Sequence, residues 1–133
     1  QYEVGCRHTI RIDLVRVMGN KIQFVELKRI QDNRLLHEEN SAVTPEIITQ
    51  IEEYHNFLKS NKDDILAYYK ELITIKHALG LQTTLADIEM LEIDTNPYLE
   101  IHNLYTHINP QREARIAKIK AMLDKHNVKY EIL

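Results

Sequence analysis

Residues 7–30 read RHTIRIDLVRVMGNKIQFVELKRI, and the fold turns on how these residues pair. Arg7 to Met18 and Lys21 to Ile30 both set β-branched and apolar residues at period two, the pattern of half-buried strands. Gly19-Asn20 stands between them. Two such residues close a tight β-hairpin because both tolerate positive φ. With that turn, Met18 faces Lys21, Val15 faces Phe24 and Asp13 faces Glu26.

Side chains directly opposite in a ladder point to one side, with Cβ atoms about 4.5–5.5 Å apart. Asp13 and Glu26 therefore repel each other unless a proton or cation lies between them, and hard carboxylate oxygens suit Mg²⁺. Lys28, two residues beyond Glu26, shares its face, and the same register sets Lys28 across from Arg11. Such a face can hold a metal on its carboxylates while an ammonium orients water and offsets charge developing on a phosphate. Without a metal, Glu-x-Lys on an exposed strand is a solvated charge pair.

Outward from the hairpin, Tyr2 to Val4 reads as a short strand ended by Gly5. Thr44-Pro45 opens a helix reaching about Lys59, with Thr44 as N-cap and Pro45 in the first turn. Its apolar positions Ile47, Ile51, Tyr54 and Leu58 form one stripe. A second helix spans about Asp63 to Leu79, with Ile65, Tyr69, Leu72 and Lys76 along one face, and Gly80 is its left-handed stop. Thr84 to Asp87 has the form of a capping box for a short turn of helix near 84–92. Tyr98 to Leu104 resembles a strand, Asn109-Pro110 opens a helix through Lys125, and Val128 to Leu133 forms a last strand. Strands joined through helices predict one α/β domain over 1–133, a mixed sheet with helices covering its faces.

A chain of 133 residues, 44% hydrophobic and with three Gly and three Pro, suits a compact domain. The single cysteine, Cys6, has no partner for an internal disulfide, which predicts a reducing, cytoplasmic setting without a membrane span. The net charge of −3 is uneven. Residues 1–36 hold seven Lys/Arg and four Asp/Glu, or +3, leaving −6 for the remainder. That basic segment is compatible with a phosphate-facing surface. A chain opening on strand-like sequence at Gln1 is expected to be a piece of a longer protein, so other domains of a parent chain are expected partners.

The run Ile12-Asp13-Leu14-Val15, followed by Val25-Glu26-Leu27-Lys28, resembles the PD-(D/E)XK nuclease superfamily, and Gln50-Ile51-Glu52-Glu53-Tyr54 resembles the Gln-x-x-x-Tyr motif of its RecB-like branch. Motifs carry the resemblance over residues 1–60, and element order carries it over the rest. It implies a restriction-endonuclease-like mixed β-sheet flanked by α-helices and a metal-dependent endo- or exodeoxyribonuclease. It further implies Mg²⁺, or Mn²⁺ in its place, on Asp13, Glu26 and the Leu27 backbone carbonyl, with Lys28 assisting the attacking water. Gln50 and Tyr54 complete the implied catalytic set, and Arg11 and Arg29 are the implied nucleic-acid contacts, with DNA the expected substrate. The family core begins with a helix that can add an acidic residue, and this helix is expected to precede Gln1.

Two rival readings follow from the same residues. A nuclease-like domain can keep the fold and bind nucleic acid or a protein partner without cutting. A structural or oligomerisation domain, such as a homodimer, would use the amphipathic helices at 63–79 and 110–125. The seven histidines, His102 and His107 among them, fit no familiar zinc spacing, and no Gly-rich phosphate loop is present.

Overall fold

The computed structural model describes residues 10–37, 39, 42–81 and 88–133. Eight elements build it: β1 (Leu14–Met18), β2 (Lys21–Arg29), α1 (Glu46–Ser60), α2 (Lys62–Ala78), β3 (Glu92–Ile93), β4 (Tyr98–His102), α3 (Pro110–Lys125) and β5 (Lys129–Ile132). Short 3₁₀ turns lie at Asn33–Leu35 and Ile88–Met90. The expected strand at Tyr2–Val4 and the Thr84 capping box lie outside the described residues.

The hairpin takes the register its sequence dictates, with Leu14 opposite Val25, Val15 opposite Phe24 and Met18 opposite Lys21. Gly19 has φ +63°, whereas among the described residues only Asn127 is a non-glycine with positive φ. The two-residue turn is therefore of the II′ kind, which needs a left-handed residue only at its first centre, and Gly19 supplies it. β1 is also shorter than expected. The ladder stops at Leu14, one residue before Asp13, so Asp13 and Arg11 lie in the segment leading into the strand rather than within it.

The sheet is mixed and open, ordered β1-β2-β4-β5, with β3 pairing the start of β2 on the edge that β4 then continues. Two β2 residues, Gln23 and Phe24, span the gap that Asp94 to Pro97 occupy on the other side. Pro97 has no N–H to give a ladder, and the Asp94 carboxylate instead accepts from Asn96 N at 3.0 Å, so the edge strand splits here.

Parallel crossovers lead from β2 to β4 and from β4 to β5, both advancing the same way across the sheet. Crossovers of one hand that advance in one direction deposit their helices on one face. Packing follows that rule. Leu99 and Ile101 of β4 share a cluster with Ile47, Ile48 and Ile51 of α1 and with Ile119 and Leu123 of α3. Ile22 and Phe24 of β2 share a second cluster with Leu58, and Ile65, Leu66, Tyr69 and Ile73 of α2 pack against it. Among the described residues the helices thus collect on one face of the sheet, which corrects the expectation that they flank both.

Local caps explain where the helices begin and end. Asn109 caps α3 by accepting from Arg112 N at 2.9 Å, with Pro110 in the first turn. For α1 the cap is Pro45, one residue later than expected, without a side-chain cap bond. Gly80, at φ +73°, ends α2, where Leu81 N bonds to Lys76 O at 2.9 Å and Gly80 N to His77 O at 3.0 Å. No helix among the described residues is long and apolar enough to cross a membrane.

Candidate active site

Strand alternation sends Ile22, Phe24, Glu26, Lys28 and Ile30 to one face of β2, and all five are buried. Ile22 and Phe24 belong to one hydrophobic cluster and Ile30 to the other. Glu26 and Lys28 therefore sit at the seam between two apolar clusters, beneath α1. Glu26 is 3% exposed and Lys28 6%. The expectation that Lys28 stands open to water and phosphate is corrected. Its ammonium donates directly to Glu26 Oε1 and is covered by the helix layer.

Four of the expected site residues meet here. Gln50 Nε2 lies 2.8 Å from Glu26 Oε1 and 2.8 Å from Tyr54 Oη. Tyr54 donates in turn to the backbone carbonyl of Arg11. The donor and acceptor capacities leave one self-consistent chain of bonds. Gln50 has two N–H groups and gives one to Glu26 and one to Tyr54, so the Tyr54 hydroxyl proton goes to Arg11. The i, i+4 spacing of Gln50 and Tyr54 puts both on the α1 face that looks onto β2. Burial, above all, pushes the Tyr54 phenol up to about 12, with the neighbouring Glu26 and Asp13 charges adding to it.

Asp13 is exposed, and its Oδ2 accepts from Leu27 N at 3.0 Å. A strand residue directs its N–H and C=O to the same edge, so the Leu27 carbonyl is aimed toward Asp13 as well. Arg11 lies on the same segment, exposed, with its carbonyl taken by Tyr54. Arg29 does not join the group. It is exposed, stands opposite His102 of β4 and projects from the sheet face opposite Lys28.

The chemistry of the donor set gives a test of fit for a hard cation. Glu26 Oε2 is the one buried side-chain oxygen or nitrogen among the described residues without a hydrogen-bond partner. Leaving such an oxygen unmatched costs about 1–3 kcal/mol, more for a charged group. Asp13, Glu26 Oε2 and the Leu27 carbonyl supply hard oxygens of the kind Mg²⁺ prefers, and Mg²⁺ commonly uses one or two carboxylates. No group of three His, Cys, Asp or Glu side chains suited to a metal occurs among the described residues, so the fit rests on two carboxylates and a carbonyl.

Sequence reasoning missed Asp32 and Arg34, just past β2. Arg34 donates to Asp32 through Nε at 2.9 Å and Nη2 at 2.7 Å, and its N–H bonds to Asp32 Oδ1 at 2.9 Å. The Arg34 side-chain bonds hold the Asp32 carboxyl below its usual range, and Lys28 adds to this. The Arg34 guanidinium is raised chiefly by Asp32, with Glu26 a smaller contributor. Asp-Asn-Arg, an Asx-type turn with a basic residue two positions on, was the available signal.

No protein family, curated protein or solved structure matches the chain.

Proposed function

We propose that this chain is a nuclease domain of restriction-endonuclease-like type, a Mg²⁺-dependent phosphodiesterase acting on nucleic acid, with DNA as the expected substrate. One observation carries this reading: a buried carboxylate, Glu26, fixed at one oxygen by Lys28 and Gln50, keeps its other oxygen without a hydrogen-bond partner, while Asp13 bonds the N–H of the next residue, Leu27. Asp13, Glu26 and the Leu27 carbonyl would hold the metal. When bound, such an ion makes a water nucleophilic near neutral pH and offsets charge on the phosphate.

The chain's own residues prepare that chemistry. Lys28 balances the charge of Glu26 from the buried face of the strand and fixes one of its oxygens. Gln50 sets the rotation of the Glu26 carboxylate, and Tyr54 sets Gln50. Arg11, exposed on the segment beside Tyr54, would meet a phosphate backbone, whereas Arg29, exposed on the other face of the sheet, would make a separate contact.

Calorimetric titration of Mn²⁺ and Mg²⁺, paired with cleavage assays on single- and double-stranded DNA and on RNA, tests the reading. Wild type binds the ion and cuts, and Glu26→Gln loses both. Absence of ion binding in the folded wild-type protein would overturn it.

The ion pair itself favours a second reading. Lys28 and Glu26 side chains are each 4% exposed and in direct contact, so the ammonium occupies the carboxylate that would take the metal. A domain that keeps this pair closed would bind nucleic acid or a protein partner without cutting. Nucleic-acid retention without ion uptake distinguishes it.

A further inference from the structure

α2 has two apolar faces. One, formed by Ile65, Leu66, Tyr69 and Ile73, packs against the cluster beneath it, where the Tyr69 ring meets Phe24 edge-on at 5.9 Å between centroids. The other runs along Tyr68, Leu72, Ile75 and Leu79, spaced by four, three and four residues, the interval of a coiled-coil seam. None of these four is among the residues packed on the core. Tyr68 is 60% exposed, Ile75 48% and Leu79 68%. Beyond the Gly80 turn, Leu81 extends the apolar surface at 71% exposure.

The charges beside this stripe indicate what covers it. In heptad terms Leu72 and Leu79 are a, Tyr68 and Ile75 are d, Glu71 is g and Lys76 is e. The acidic edge, Asp64 and Glu71, therefore lies along one side of the stripe and Lys76 along the other. A two-fold axis parallel to the helix brings Glu71 of one copy against Lys76 of the other, twice. An antiparallel arrangement sets each edge against its like. We infer that α2 forms a contact between two copies of this chain, side by side and parallel about a two-fold axis. The helix is 17 residues, about 25 Å at 1.5 Å per residue, so the association is weaker than a permanent interface and depends on concentration.

Sedimentation equilibrium from micromolar to millimolar protein tests this. Wild type passes from monomer to dimer. Ile75→Asp, and independently Leu79→Asp, raise the dissociation constant by at least about tenfold, since each sets an unpaired carboxylate in the seam. Both sites are exposed, Ile75 at 48% and Leu79 at 68%, and circular dichroism checks that each variant keeps its fold. Glu71→Lys and Lys76→Glu each weaken the dimer about three- to tenfold, and the double variant recovers wild-type affinity. In a Cys6→Ser background, Tyr68→Cys oxidises to a covalent dimer, because parallel pairing brings each residue against its own copy. A monomer at millimolar concentration overturns the inference, as does a dimer indifferent to Ile75→Asp and Leu79→Asp or one that the double charge exchange does not restore.

Discussion

Gln50 Nε2 stands 2.8 Å from Glu26 Oε1, joining α1 to a strand residue 24 positions earlier. The contact explains how a carboxylate survives between two apolar clusters. Its charge is balanced by Lys28 along the same strand, and its orientation is set from above by a neutral amide. Lys28 could arrive with β2 alone, whereas Gln50 reaches Glu26 only when α1 docks.

Lys28→Met is expected to destabilise the fold by about 3–5 kcal/mol, the range for stripping one partner from a buried ion pair. Folding and any turnover are thus both affected. Adding Glu26→Gln should recover much of the loss, since no unpaired charge then remains. Urea unfolding of the two variants checks this, and a single variant as stable as wild type would show that the pair is not desolvated as found.

Gln50→Glu places a second carboxylate against Glu26 Oε1 and leaves the Tyr54 hydroxyl without its donor. Stability should fall by about 1–3 kcal/mol at neutral pH. If the site takes Mn²⁺, adding the ion at neutral pH narrows the gap, because the cation offsets the paired charges. Thermal unfolding with and without Mn²⁺ measures the effect.

Tyr54 supplies a prediction at alkaline pH. Its phenol is raised from 10.0 to about 12, so between these values the folded chain holds a proton that the unfolded chain has released. Stability from this group is therefore intact below pH 10 and lost as pH rises toward about 12, by up to roughly 2 kcal/mol. The difference between wild type and Tyr54→Phe isolates it, because the variant has no such slope. Parallel pH dependence of the two proteins would contradict the assignment.

Gly19→Ala should cost about 1 kcal/mol, because φ +63° disfavours any residue with a Cβ. No heavy atom stands within 4 Å of the added carbon, so the cost is conformational rather than steric. Hydrogen exchange across β1 and β2 should report it as faster local opening, with the rest of the sheet unchanged.

Where neighbours in sequence decide the outcome, the residues can be read directly. Gly19-Asn20 and period two give the hairpin register, Asn109-Pro110 gives the start of α3, and Gly80 gives the end of α2. The motif residues Glu26, Lys28, Gln50 and Tyr54 are also legible, since period two and the i, i+4 step fix which faces they share. Long-range packing is not. Nothing local tells that both crossovers lay their helices on one face, and β3, with two residues, has no period to detect. The burial of Lys28 is foreseeable, because Ile22, Phe24 and Ile30 share its face and mark it as the covered one. Charged residues on that face suggest a surface, but the apolar ones on either side of them outweigh that signal.

Both crossovers advance in one direction, and this bears on how Glu26 is covered. In many α/β sheets a ligand crevice opens where the strand order doubles back and successive helices diverge to opposite faces. The order β1-β2-β4-β5 never doubles back, so the topology provides no such crevice, and Glu26 lies instead under the side chains of α1. The segment from Ile10 to Asp13 runs beyond the end of the β1–β2 ladder. A phenol hydroxyl on the Arg11 carbonyl and an aspartate carboxylate on the Leu27 N–H tie that segment to α1 and to β2, so it swings away from the sheet only when both hydrogen bonds break.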